Sequence, residues 1–409
     1  MKYAIVFRWM KNTKYSFVPL IASLEETKYI EEVDLLSIRK IKDLLKFDGK
    51  YQELIIAFSF MTFDLEKVLQ DLKAIDELGL KTPYSIIAGG PHVSGDPESG
   101  KILGFDSIFI GDGEATIRQY CDDLLSGKRK RIYDGTIDPV DLNDYPPFAT
   151  KRKKLMIPIE ITRGCPFGCY YCAVSYLFGR KPRYREIEQI LEYSRWAVKH
   201  GKVISRFISP NAFGFQSPNG IKPNIEALEK LLVGLKEIGI QECYFGTFPS
   251  EVRPESVTPE VLKLVRKYCD NKSLVIGVQS GSEKMLKKMG RRHSLESAEQ
   301  AINLTREFGL TPMVDFIFGL PGELEEDRKA TIAWMEKIRT KYGAIIHAHT
   351  FMPLVGSPWA NLDPEPLDKG MLKILGQLSQ KKELFGYWAK QQQLGEKIKH
   401  WREQGFITS

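Results

Sequence analysis

The chain has no run of eighteen or more apolar residues, so none of its segments reads as a membrane-crossing helix. A leader is equally hard to find. Met1-Lys2-Tyr3-Ala4-Ile5-Val6-Phe7-Arg8 is a strand with charged flanks. Its apolar stretch is too short for a signal peptide and no cleavage site follows. Cysteine is scarce, at six in 409 residues. Cys121, Cys243 and Cys269 each stand alone and read as core residues. Charge of neither sign dominates: the net charge is +7, with 27% charged and 43% hydrophobic residues, ordinary for a globular chain. Two short basic runs, 128–131 and 151–154, bracket a stretch rich in Asp and Pro. They read as solvated flanks of a linker, with nucleic-acid binding the minor alternative. The length calls for about two or three domains, and the expected compartment is the cytoplasm.

The other three cysteines fall within eight positions, in Thr162-Arg163-Gly164-Cys165-Pro166-Phe167-Gly168-Cys169-Tyr170-Tyr171-Cys172. Chance clustering of buried thiols is the bland alternative, and this density makes it a poor one. Thiolates spaced C-x3-C-x2-C can hold three corners of a cubane iron–sulfur cluster, leaving one iron free of protein ligands. A structural zinc site would be closed by four ligands, and no fourth Cys or His follows before His200. Clustered thiolates also fit a reducing compartment. The spacing, the Arg-Gly-Cys-Pro lead-in and the aromatic Tyr171 before the last cysteine resemble the radical S-adenosylmethionine (SAM) superfamily. The resemblance implies that Cys165, Cys169 and Cys172 hold a [4Fe-4S] cluster, that SAM binds the open iron, and that Tyr171 lies along its adenine.

Before this motif, apolar runs of strand length alternate with amphipathic segments. Tyr3–Phe7, Val33–Leu36, Leu54–Phe58, Ser85–Ala88 and Ser107–Ile110 read as strands of a parallel sheet covered on both faces. Leu65–Leu78 reads as a helix with Asp64 as N-cap and Gly79 beyond its end. The order implies a doubly wound, Rossmann-like domain over 1–126, with ligands beyond the C-terminal strand ends. Those ends run into Ser59-Phe60-Met61-Thr62, Gly89-Gly90-Pro91-His92 and Gly111-Asp112-Gly113-Glu114. Glycine there lets backbone approach a ligand, or simply makes the turns the fold needs. The arrangement resembles cobalamin-binding domains. The resemblance implies a corrin or nucleotide-tail lining from Asn12, Ser59, Met61, Thr62, Gly89, Gly90, His92 and Glu114. It departs from the family in lacking an Asp-x-His-x-x-Gly signature. The loop after the first strand, 8–14, contains no His, so no imidazole from it sits below cobalt. His92 has a second reading, as a hydrogen-bonded residue of a Gly-Pro turn.

After a linker over 127–154, strands and helices alternate again. Ile157–Ile161, Val203–Ile208, Cys243–Gly246, Leu274–Val278, Met313–Phe318 and Ile345–Thr350 are the predicted strands. Glu186–Lys199, Asn224–Ile238, Pro259–Tyr268 and Glu326–Arg339 are the main helices. The pattern predicts a partial (β/α)6 barrel over 155–360, with reactive groups at the C-terminal strand ends. Ser209 and Asn211, Glu251, Gln279, Arg291 and Phe318 lie at or just beyond such ends. The order resembles the branch holding methylthiotransferases, coproporphyrinogen oxidases and cobalamin-dependent methylases. That resemblance implies ribose contacts from Glu251 and Gln279. It implies a methionine-carboxylate contact from Arg291 or its neighbour Arg292, a geometry a guanidinium fork suits.

Methylthiotransferases carry three further N-terminal cysteines and usually end in a small β-rich domain. Here only Cys121 precedes the motif, and Asp368–Arg402 has helical spacing. Coproporphyrinogen oxidases lack the first domain. The cobalamin-dependent methylases fit best. Trp388, Leu394, Ile398 and Trp401 predict an apolar stripe on a helical extension, 361–409, that packs on the barrel and covers the active site, with a partner-binding helix the minor alternative. The expected activity is methylation of an unactivated carbon of a small molecule, lipid or peptide. It would use a 5′-deoxyadenosyl radical and methylcobalamin, with electrons from a flavodoxin or ferredoxin, under anaerobic conditions. The alternatives are another radical rearrangement with the first domain as a substrate or nucleotide module, and a cluster-binding protein without turnover.

Overall fold

The computed structural model describes residues 1–11, 13–25, 27–151 and 155–409. Asn12 and the 152–154 part of the second basic run lie outside the described residues. The chain divides into two compact units. The first comprises Met1–Ile157, Leu354–Ala360 and His400–Ser409, and the second Pro158–Pro353 and Asn361–Lys399. No described helix is long and apolar enough to cross a membrane.

In the first unit, β1 (Tyr3–Arg8), α1 (Lys14–Glu25), β2 (Val33–Ile38), β3 (Glu53–Ser59) and α2 (Leu65–Glu77) are followed by β4 (Tyr84–Gly89), α3 (Pro91–Gly95) and α4 (Pro97–Ile102). Then come β5 (Ser107–Ile110), α5 (Gly113–Leu125) and β6 (Ile132–Asp134). The sheet is six-stranded in the order β2-β1-β3-β4-β5-β6, and every pairing is parallel. Strand order reverses between β1 and β3, the switch point beside which open α/β sheets bind ligands. Ala4 to Phe7 and Leu54 to Ile56 are at most 1% exposed, as strands covered on both faces must be. One face packs Phe7, Phe17, Ile21, Ile55 and Tyr120 into a common core.

Two details differ from the sequence reading. The stretch read as a linker supplies the edge strand β6. Ser107 and Tyr133 hold it through hydrogen bonds at Lys130, and Tyr133 is buried against Phe109. Asp64 does not cap α2 with its side chain; its carboxylate accepts from the Met61 N–H and closes the turn before the helix.

In the second unit, β7 (Ile159–Glu160), β8 (Thr162–Arg163), α6 (Val174–Leu177) and β9 (Arg183–Tyr184) precede α7 (Ile187–Lys199), β10 (Ile204–Ile208), α8 (Ile225–Glu237) and β11 (Glu242–Tyr244). The chain continues through α9 (Pro259–Tyr268), β12 (Ser273–Gln279), α10 (Glu283–Lys288), α11 (Leu295–Glu307), β13 (Thr311–Phe318), α12 (Glu325–Tyr342) and β14 (Ile345–Thr350). It ends with α13 (Lys369–Gln380), β15 (Leu384–Phe385) and α14 (Trp388–Glu403). Two parallel sheets, β11-β10-β7 and β12-β13-β14-β15, make the arc. They are linked where Val252 bridges Ile276 and the Val275 N–H donates to Gly246 O. The open barrel is as expected, with one addition. The tail is not continuous helix: β15 adds a short parallel strand to β14. The start of α14 then packs on the same strand, where Thr350 Oγ1 donates to Trp388 O at 2.9 Å. Ile398 and Trp401 of the predicted stripe are buried, and Trp388 and Leu394 are half-buried.

Candidate functional site

The cysteine loop leaves the arc at the ends of β7 and β8. It is braced by the chain's own contacts. β8 pairs antiparallel with β9, and Arg163 holds Glu160 through two bonds of 3.0 and 2.6 Å. The Cys165 N–H donates to Gly179 O at 3.1 Å and the Tyr170 N–H to Met289 O at 2.9 Å. Gly164 has φ +85°, and a Cβ there would press on the carbonyls of Phe178 and Gly179. Only glycine fits both demands.

Cys169 is buried, and Cys165 and Cys172 are half-buried. They are not gathered as ligands of one ion. Among the described residues, the one trio of His, Cys, Asp or Glu donors drawn within 4.8 Å of one another lies elsewhere. A single tetrahedral zinc with Zn–S bonds of about 2.3 Å would hold its thiolates about 3.8 Å apart. Thiolates spread more widely on one loop match a cubane, where each binds a different iron.

Two guanidiniums converge on this loop. Arg253 Nη1 and Arg291 Nη1 each donate to Cys169 Sγ at 3.7 Å. Arg253 also lies 3.5 Å over the Phe167 ring and donates to Glu255 at 2.7 Å. Arg291 donates to Tyr171 Oη at 3.4 Å and to the Gly277 carbonyl. Burial works against ionisation of Cys169, yet Arg291 and then Arg253 bring its thiol below the ordinary value. Burial pushes Cys172 up to about 12, with the neighbouring cysteines adding to the rise. Arg253 Nε, Arg291 Nε and Glu255 Oε2 are buried without a hydrogen-bond partner. Such groups are costly unless something satisfies them. A guanidinium with spare donors and a free carboxylate oxygen suit the carboxylate and amine of an amino-acid ligand.

The other residues expected at the barrel mouth divide into two sets. Ser209 and Asn211 are buried and brace loops: Ser209 Oγ accepts from the Asn211 N–H, and Asn211 Oδ1 accepts from the Arg253 N–H and Ser256 Oγ. Phe318 is fully buried in β13. Gln279 is the last residue of β12 and has φ +85°. A side chain there costs about 1–3 kcal/mol of backbone strain, the kind concentrated at functional sites. Glu251 is half-buried beside Asp315. Burial, then the Asp315 carboxyl, raises its acid to about 8.

Sequence reading missed Arg253, although it lies two residues from Glu251. It also missed Asp315, His347 and His349. The alternation His-Ala-His in a strand puts both imidazoles on one face, and that signal was present.

In the first unit, Ser59 and Gly89 are register partners at the ends of β3 and β4. Gly90, at φ +90°, brings its backbone so close that a Cβ would stand 2.5 Å from Ser59 Oγ. Met61, Gly89 and Gly90 are half-buried; Ser59, Thr62 and Glu114 are buried. His92 is fully buried, stacked on Phe60, with Nδ1 3.3 Å from Thr62 Oγ1 and Nε2 2.9 Å from Ser99 Oγ. Both ring nitrogens are engaged, as the hydrogen-bonded reading requires, and neither is left for a metal. At the end of β1, Trp9 Nε1 is buried without a partner. An unsatisfied donor and a tight glycine contact therefore lie at the C-terminal sheet edge, next to the switch point.

The Radical SAM superfamily model matches residues 159–335. An uncharacterized protein of Methanocaldococcus jannaschii is 26% identical over 79% of this chain and 72% of its own length. An uncharacterized methyltransferase of Pyrococcus horikoshii is 22% identical over 76% of this chain and 69% of its own. Among solved structures, the radical SAM methyltransferase TsrM of Kitasatospora setae, with cobalamin and a [4Fe-4S] cluster bound, superposes with a TM-score of 0.66. That match covers 88% of this chain and 74% of TsrM at 14% identity, so what it establishes is the fold.

Proposed function

We propose that this chain, which carries a radical SAM domain on the fold of a cobalamin-dependent radical SAM methyltransferase, methylates an unactivated carbon with the help of cobalamin. The observation that carries the reading is the cysteine loop, with three thiols spread for a cluster and Cys169 under two guanidiniums. When bound, the cluster and SAM supply a carbon-centred radical and cobalamin supplies the methyl group, since such cofactors carry the hard chemistry.

The chain's own residues hold, orient and shield. Cys165, Cys169 and Cys172 would take three irons. Arg253 and Arg291 would offset negative charge on those sulfurs, and their unpartnered Nε donors would suit an amino-acid carboxylate. Tyr171, fixed by Arg291, presents a ring beside the loop. Gln279 and Glu251 are the candidates for a ribose. In the first unit, Ser59, Met61, Gly89 and Gly90 would border a nucleotide tail, and no His of that border offers its ring to cobalt. A flavodoxin or ferredoxin in the cytoplasm is the reductant this chemistry calls for, and the substrate is a small molecule, lipid or peptide.

A second reading rests on that missing ligand: the first unit would bind a nucleotide or substrate instead. One anaerobic experiment separates the readings. Reconstituted protein, SAM and dithionite are expected to yield 5′-deoxyadenosine, and added cobalamin to shift its own absorbance on binding. Production of 5′-deoxyadenosine without a corrin shift would select the second reading. No 5′-deoxyadenosine from protein with a full iron complement would overturn both. Arg291→Lys keeps the charge but loses the fork. Losing one charge-assisted bond of about 1.5–3 kcal/mol predicts SAM affinity roughly 10- to 150-fold weaker; unchanged affinity would remove Arg291 from the site.

A further inference from the structure

β13 and β14 bring three metal-capable side chains to one face of the second unit. Asp315 and His347 are register partners on neighbouring parallel strands, and His349, two residues on, returns to the same face. Asp315 Oδ1 lies 2.8 Å from His347 Nδ1, and His349 Nε2 lies 3.2 Å from the same nitrogen. Asp315 is buried and the two imidazoles are half-buried.

Hydrogen bonding alone accounts poorly for this convergence. His347 Nδ1 carries at most one proton. If it donates to Asp315, it has no lone pair to offer His349. If it accepts from His349, it turns a lone pair toward the Asp315 carboxylate. Sharing its one proton between both acceptors is the remaining choice, and a weak one. A metal ion removes the conflict. Ligand bonds of about 2.0–2.2 Å place neighbouring donor atoms roughly 3.0–3.5 Å apart around a four- or six-coordinate ion, close to both separations.

Gln391 supplies an independent observation. Its Oε1 accepts from the Thr350 N–H at 3.2 Å, which fixes the orientation of the amide. The same oxygen lies 3.2 Å from His349 Nδ1. The amide nitrogen Nε2 is equally 3.2 Å from that ring nitrogen, so the amide meets Nδ1 in either tautomer. With a metal on Nε2, His349 would carry its proton on Nδ1 and donate to Oε1. Ligating histidines are commonly held by such a bond to the ring's other nitrogen.

We propose that Asp315, His347 and His349 bind one divalent first-row transition-metal ion, at ligands distinct from the three cysteines. Two imidazoles and one carboxylate are the donor set of mononuclear iron(II) and zinc centres. Three protein ligands leave coordination positions open for an oxygen or nitrogen of a small molecule. The proposal does not depend on cobalamin binding or on methyl transfer.

Zinc is the probe, because its X-ray absorption edge is blind to cluster iron. Cluster-loaded full-length protein is dialysed against Zn2+, then analysed for metal content and for the zinc coordination shell. The expected result is one zinc per chain with nitrogen and oxygen neighbours and no 2.3 Å sulfur shell. His347→Ala/His349→Ala abolishes it, and Gln391→Ala weakens binding about 10- to 100-fold. Iron content reports whether each variant still folds. No bound zinc, a sulfur shell, or undiminished zinc in an iron-replete double variant would each overturn the proposal. Should the double variant lose its iron, the wild-type shell and Gln391→Ala decide.

Discussion

Acidification tests the packing around His92. Its imidazole is buried, with Phe60 on one face and hydroxyls of Thr62 and Ser99 at its two nitrogens. Burial depresses it from 6.5 to about 4, and nearby Asp96 opposes the fall only in part. A depressed imidazole is neutral in the folded chain while the unfolded chain takes up the proton. Its contribution is thus fully present above pH 6.5 and is lost as pH falls toward 4. Those two values correspond to a loss of about 2 kcal/mol at pH 5 and about 3 kcal/mol at pH 4. His92→Gln keeps a donor and an acceptor but cannot titrate. It is expected to be less stable than wild type at pH 7, and to lose less stability on acidification by that amount. Hydrogen–deuterium exchange of peptides covering 84–102, at pH 7 and pH 5 with intrinsic rates corrected, reads the opening free energy locally. Equal acid losses in the two proteins would mean that His92 is not buried as a neutral ring.

Two further perturbations probe the same unit. Arg8 and Asp71 form a buried pair, 2.7 Å apart with side chains 5% and 3% exposed. Asp71→Asn removes the charge that Arg8 shares with Lys67, 2.9 Å from the other carboxylate oxygen, and leaves the guanidinium its bond to Trp9 O. It is expected to cost about 3–5 kcal/mol in urea unfolding, and a change below about 1 kcal/mol would show that the charge reaches water. Gly90→Ala adds a methyl at φ +90° against Ser59 Oγ and the Phe60 N–H. It is expected to cost about 1–3 kcal/mol from the backbone alone, with a lower melting temperature. Ser59→Ala in the same chain should restore only part, and full restoration would contradict the strain at residue 90.

Local signals carried most of the fold. Continuous apolar runs marked β1, β3, β4 and β12 because buried parallel strands need little else. The cysteine loop was legible for the same reason: its residues are neighbours in sequence and its spacing is itself the chemistry. Arg253 was not, because a lone Arg in a loop gains meaning only when Asn211 and Phe167 place it over Cys169. Asp315 and His347 are 32 residues apart and meet only through strand register. β6 and β15, of three and two residues, are too short for any periodicity. Each exists because a neighbouring strand offers it an edge.

The two units are interleaved along the polypeptide. Leu354–Ala360 and His400–Ser409 return to the first after the second has begun. The return is more than a loose end: Asp96 accepts from the backbone N–H groups of Thr408 and Ser409, and Ser99 Oγ donates to Phe406 O. Recombination therefore cannot exchange either half as one uninterrupted gene segment. A chimera that swaps the sheet of the first unit must carry those two distant stretches with it, or leave the Asp96 carboxylate to find new donors.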